Sequence, residues 1–171
     1  MNETRQQWVT FVVSGDEFAI LAEHISEVSP YGPVTRVPGA PAFVVGATSV
    51  RARPIPVIDL ARKFGFEPAP VTRWTCLLLV CVRCGDETTT LACVVDEVRE
   101  LLDVSPQEIE PPPPLGTRVH PSYLVGLVRS SERFVVLLDV QQVLSREELA
   151  SAATSLEPIP RLSPQPPEKQ E

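Results

Sequence analysis

Cys76, Cys81, Cys84 and Cys93 fall within one 18-residue stretch, and Cys81-Val82-Arg83-Cys84 has the Cys-x-x-Cys spacing with which thiolates can grip zinc. A structural zinc site needs four converging ligands, so the geometry around the pair decides. Along a strand, residues five apart point to opposite faces, which separates Cys76 from Cys81. A two-residue turn at Gly85-Asp86 sets Cys93 opposite Leu78, and no cysteine then faces another. The stretch reads as reduced thiols acting as small apolar side chains, with no metal and no cofactor. His24 and His120, the histidines of the chain, precede dissimilar segments and read as solvated or capping groups. Asp59, Asp96 and Asp139 also read as caps, Asp59 and Asp139 each standing where a strand ends and a helix starts. The sequence carries no phosphate-cradling glycine loop, Gly-x-Ser-x-Gly elbow, paired-histidine helix or dinucleotide fingerprint. No catalytic residue is assigned, and the chain is not expected to be an enzyme.

Runs of valine, leucine, isoleucine and threonine bounded by glycine and proline must position any site, and they indicate an all-β fold. Strands are expected near 8–14, 17–21, 33–37, 43–49, 53–58, 75–83, 88–95, 98–103, 123–129 and 133–138, with short helices at 22–28, 60–64 and 140–153. The chain is also internally repeated. An offset of 80 aligns Pro41-Ala42-Phe43-Val44-Val45-Gly46 with Pro121-Ser122-Tyr123-Leu124-Val125-Gly126, Arg53 with Arg133 and Asp59 with Asp139. Upstream, an offset of 73 pairs Ala19 with Ala92, Ile25 with Val98 and Glu27 with Glu100, as expected of a duplicated five-strand unit with a loop insertion around Pro111-Pro112-Pro113-Pro114. The expected domain runs over 8–150, as two barrels at roughly 15–72 and 75–145, with strand 8–14 available to complete the second. Ser14-Gly15-Asp16-Glu17 and Cys84-Gly85-Asp86-Glu87 both place glycine first in a two-residue turn, the type II′ order. Residues 156–171 are rich in proline without apolar period and are expected to form a disordered tail.

Residues shared by both halves serve the barrel; unshared ones are free to serve a partner. Arg51 is unshared, because its counterpart is Ser131. It reads either as a solvated surface charge or as a partner for Glu27. Among the 171 residues, 43% are apolar and 22% charged, the balance of a folded globular protein. The net charge of −7 works against a nucleic-acid partner, which requires a basic stripe. The first residues lack the apolar core of a signal peptide, and no run approaches the roughly 18 apolar residues of a membrane helix, so a cytoplasmic protein without membrane insertion is expected.

Val34-Thr35-Arg36-Val37-Pro38-Gly39-Ala40-Pro41-Ala42-Phe43-Val44-Val45-Gly46, followed by Pro56-Val57-Ile58-Asp59-Leu60, resembles the signature of the CheW adaptor family. Gly15-Asp16-Glu17-Phe18-Ala19-Ile20, Val94-Val95-Asp96-Glu97-Val98 and Tyr123-Leu124-Val125-Gly126 follow in the family's order, so the resemblance spans about 8–149. It implies two SH3-like barrels packed around a shared core. It also implies a scaffold that joins the cytoplasmic tips of chemoreceptors to the regulatory domain of a CheA-type histidine kinase. The family's Asn-Leu-Arg-Gly corresponds to Ser49-Val50-Arg51-Ala52, which keeps the arginine linked to receptor coupling, with Glu27 placed to orient it. Ile25, Gly46 and Val98 match positions of the family's receptor-binding surface. Ser49 and Ala52 depart from the family motif, and alanine in place of glycine strains the turn by roughly 1 kcal/mol if its φ is positive. Two further readings stand beside this one: an adaptor of a divergent array controlling motility, pili or gene expression, and a ligand or metal sensor using the cleft between barrels.

Overall fold

The computed structural model describes residues 4–112 and 119–143. Its strands are β1 (Gln6–Val13), β2 (Asp16–Leu21), β3 (Ile25–Pro30), β4 (Val44–Val50), β5 (Arg53–Asp59), β6 (Cys76–Cys84), β7 (Glu87–Val95), β8 (Glu97–Val104), β9 (Leu124–Ser130) and β10 (Arg133–Leu138). Helix α1 (Leu60–Phe64) follows β5 and α2 (Val140–Val143) follows β10. Asp59 and Asp139 cap them as expected: the Oδ1 of each accepts from the backbone N–H two residues on, at 3.0 Å. The rest of the helix expected over 140–153, and the tail over 156–171, lie outside the described residues.

Two five-stranded sheets form, ordered β8-β1-β2-β10-β9 and β3-β6-β7-β5-β4. Under the offsets found in the sequence these orders are equivalent strand for strand, so the duplication is structural. The halves are nonetheless interlaced. The β1–β2 hairpin of the first repeat pairs with β8 and β10 of the second, and the β6–β7 hairpin of the second pairs with β3 and β5 of the first. One sheet is therefore drawn from 25–95 and the other from 6–21 plus 97–138, whereas the sequence reading divided the barrels at 72–75. The connections explain the exchange. Asp96 alone separates β7 from β8, and the single 3₁₀ turn Ala22–His24 separates β2 from β3. Neither link is long enough for a parallel crossover, and the third strand of each repeat runs straight on into the other sheet.

Each barrel has a small interior of its own, Trp8, Ala19, Val128, Val135 and Leu137 in one and Val57, Leu77, Leu79 and Ala92 in the other. A larger core lies between them and draws Phe11, Phe18 and Leu138 from one sheet and Ile58, Leu78, Val80 and Leu91 from the other. Strand β6 buries both faces: Leu77 and Leu79 fill its own barrel, while Leu78, Val80 and Val82 enter the shared core. This double burial explains the unbroken run Cys76-Leu77-Leu78-Leu79-Val80-Cys81-Val82, where a one-sided strand would alternate.

Three local expectations are corrected. The helix expected over 22–28 is helical only at Ala22–His24, and the chain beyond it is β3, whose alternating burial shows one face turned inward. The strand expected over 33–37 reduces to a single bridge, Thr35 with Ala47. The β1–β2 turn is Ser14-Gly15, closed by Val13 opposite Asp16, with φ of 51° and 87°, which is type I′ rather than II′. In the β6–β7 turn, Gly85 does take the first position, with φ 69°.

Candidate partner-binding surface

Hairpin β4–β5 turns through Arg51-Ala52, closed by Val50 opposite Arg53. Both turn residues have positive φ, 52° and 67°, the type I′ geometry that matches the twist of the flanking strands. Ala52 therefore occupies the backbone state that favours glycine. The turn carries the Arg51 side chain toward β3, where its Nη2 lies 3.0 Å from Glu27 Oε1. Strands β3 and β4 are the two outer strands of their sheet, so this ion pair joins the sheet's ends. Arg51 is 76% exposed and Glu27 35%, leaving the guanidinium accessible while its carboxylate partner is held against the barrel. The equivalent turn of the other barrel has Ser131 in the place of Arg51, with φ 58°, while Glu132 does not share the positive φ of Ala52, so neither the charge nor the full turn geometry is repeated.

Ile25 and Glu27 lie on the inward-facing row of β3, with a register shift between them against β6. Ile25 is half-buried against the shared core, as is Val98 at the start of β8. The two are equivalent in the repeat, occupying matching outer strands of different sheets, and both pack against the same shared core. Gly46 is buried in β4. A Cβ there would collide with the carbonyl of Thr35, whose backbone exchanges hydrogen bonds with Ala47 at 2.7 and 2.8 Å. Gly126 repeats the arrangement: its Cβ would come within 2.6 Å of Glu110 O, and Glu110 exchanges bonds of 2.8 Å with Leu127. This shared role gives Gly46 a structural duty in admitting the incoming chain.

The remaining chemistry-bearing residues fall into supporting places. Cys93 lies opposite Leu78 as expected and Cys81 opposite Thr90. Cys93 is buried in the shared core, where desolvation pushes its thiol up to about 12. Cys76 is also raised, chiefly by burial. Asp96 Oδ2 accepts from Ser14 N–H at 2.8 Å and so ties the β1–β2 turn to the strand junction. His120 Nδ1 accepts from Ser122 N–H at 3.1 Å, a cap on the short turn before β9. Among the described residues, no group of three or more His, Cys, Asp and Glu is arranged to hold a metal ion, and no helix is long and apolar enough to cross a membrane.

One pair was not foreseen from the sequence. Glu17, buried in β2, meets Arg133 of β10 at 2.6 Å, a charge contact without hydrogen-bond geometry. It crosses the parallel seam by which the first repeat's hairpin joins the second repeat. The alignment of Arg133 with Arg53 was the available signal, but only the hairpin exchange shows which carboxylate it would meet.

Comparison with known proteins agrees with this architecture. The family model described as a CheW-like domain matches residues 7–148. The chemotaxis protein CheW of Klebsiella aerogenes is 30% identical over 145 residues, covering 85% of each chain. Protein FrzA of Myxococcus xanthus is 30% identical over 142 residues, covering 81% of this chain and 85% of its own. The crystal structure of the scaffolding protein TtCheW from Thermoanaerobacter tengcongensis superposes with a TM-score of 0.74 at 22% identity, over 84% of this chain and 90% of that one. Its likeness confirms two SH3-like barrels on a shared core. With the family model covering both barrels and the signature motifs lying where the fold requires them, the chain belongs to the CheW-like family.

Proposed function

We propose that this protein is a non-catalytic cytoplasmic scaffold that couples chemoreceptor cytoplasmic tips to the regulatory domain of a CheA-type histidine kinase in chemotactic signalling. The observation that carries this reading is the Arg51–Glu27 pair, 3.0 Å apart at the open end of one barrel and missing from its duplicate. Glu100 and Ser131 hold the equivalent positions in the other half, so the duplicated fold does not require this exposed pair and it is free to serve a partner. Arg51 supplies an accessible, planar donor for a partner's carboxylates or carbonyls, and Glu27 fixes the direction in which it points. Ile25 and Val98 add apolar contact along the two outer strands, and Gly46 shapes the surface through the chain it admits. The scaffold changes kinase output by binding one arrangement of receptor and kinase better than another, with no bond made or broken.

Ser49 and Ala52, where the family motif has asparagine and glycine, favour as second reading an array with a different output that uses the same adaptor logic. Co-sedimentation of the full chain with a receptor cytoplasmic fragment and the kinase regulatory domain tests the proposal. Wild type is expected to enter a ternary complex, and Arg51→Ala to weaken receptor binding at least tenfold while kinase binding persists. Equal receptor binding by both proteins removes Arg51 from the site; no binding of either partner by wild type removes the coupling function.

A further inference from the structure

The two halves meet at a lysine. Lys63, on α1 of one barrel, places its Nζ 4.9 Å from the centroid of Phe43 and 5.5 Å from that of Tyr123. Those rings are repeat equivalents, and their carbonyls accept equivalent bonds of 2.9 Å from Asp59 N–H and Asp139 N–H. Phe43 precedes β4 and Tyr123 precedes β9, so one ammonium spans matching aromatics of the two different barrels, within the range of cation–π attraction. The neighbouring Phe64 reaches across as well, 6.2 Å from Tyr123 and 5.3 Å from Phe18. The arrangement is asymmetric. Under the same offset Lys63 corresponds to Val143 of α2, which is buried at 2% exposure in the shared core. One half fills this position with an apolar side chain, and the other puts a charge at the seam.

We propose that Lys63 is a positioning residue that fixes the relative orientation of the two barrels by clamping Phe43 and Tyr123, and thereby the angle at which the scaffold presents its partners to each other. The geometric part stands on the structure alone; its consequence for assembly rests on the scaffold function proposed above. A cation between ring faces attracts both, whereas an uncharged chain of the same length only fills space. Charge, more than bulk, is thus what the clamp requires.

The sequence makes the test clean, since Lys63 and Lys169 are the lysines of the chain. In the full-length protein labelled with ¹³C-lysine, the side-chain signals of Lys63 are expected upfield of those of Lys169, displaced by the rings, and to move back in Phe43→Leu and in Tyr123→Leu. Residual dipolar couplings then report the angle between barrels in wild type, Lys63→Met and Lys63→Arg. Met is expected to change the angle and Arg to keep it. In binding, Met is expected to leave receptor and kinase affinities measured separately within twofold of wild type but to weaken the ternary complex about tenfold, with Arg restoring it. An unchanged angle in Lys63→Met overturns the clamp, whatever the binding shows. A changed angle with undiminished ternary assembly overturns its role in presenting partners. If wild type itself forms no ternary complex, the scaffold function falls, and the dipolar couplings still decide the clamp on their own.

Discussion

At the scale of single residues, backbone strain and charge separate cleanly around the β4–β5 turn. Ala52 holds φ 67°, a state that costs a residue with a Cβ about 1 kcal/mol. Glycine removes that strain but gives back part of the gain through its freer unfolded chain. Ala52→Gly should therefore raise stability by about 0.5 kcal/mol, seen as a higher denaturation midpoint at unchanged slope. Arg51→Ala removes an ion pair whose arginine is 76% exposed, and such pairs contribute no more than about 1 kcal/mol. Its melting curve should lie close to wild type even where receptor binding is lost, which separates a binding role from a folding one. Cys93 gives a pH prediction. Its thiol is raised to about 12 by burial, above the usual value near 9, so in that interval the unfolded chain releases a proton that the folded chain retains. The contribution is intact below about pH 9 and declines as pH rises toward 12. Chemical denaturation across this range should show wild type losing stability more steeply than Cys93→Ala.

At the scale of elements, the glycines of β4 and β9 are the points where the fold tolerates least. Gly46→Ala drives a methyl group into Thr35 O and Gly126→Ala into Glu110 O. Overpacking of this kind costs about 1–3 kcal/mol, and thermal melts should show both variants destabilised. Their equivalence is one of the features that the sequence made legible: the repeat, the hairpins, both helix starts at Asp59 and Asp139 and the register of Leu78 against Cys93 all follow from pattern. Strand β3 did not. Ile25-Ser26-Glu27-Val28 turns a glutamate toward the barrel because Arg51 awaits it there, which breaks the apolar alternation that marks a strand. The same pair that makes the site thus hid the element that carries it. The segment 33–37 misled in the opposite sense, being rich in β-forming residues yet paired through one bridge, Thr35 with Ala47, beside Gly46.

At the scale of the whole molecule, what sequence pattern could not supply was the exchange of hairpins, since an apolar run states that a strand is buried on both sides and not by which repeat. Residues 25–95 contain a complete five-stranded sheet, but the outer face of that sheet is half of the shared core, with Ile58, Leu78, Val80 and Val82 fully buried in the intact chain. Excised alone, this segment should retain strand signal by circular dichroism while associating into oligomers through the uncovered face. Gel filtration checks this; a well-behaved monomer of 25–95 would show that the barrels are independent. The interlacing also sets an order of events during synthesis. The hairpin at 6–21 leaves the ribosome before the other strands and yet has no sheet to join until β8, β9 and β10 emerge, more than a hundred residues later for β9 and β10. The sheet of 25–95 has all its strands before then, and it must wait with one apolar face open. The first-made hairpin of this fold is thus placed after the sheet that follows it in the chain, and the interval between is when the nascent chain is most exposed to misassociation.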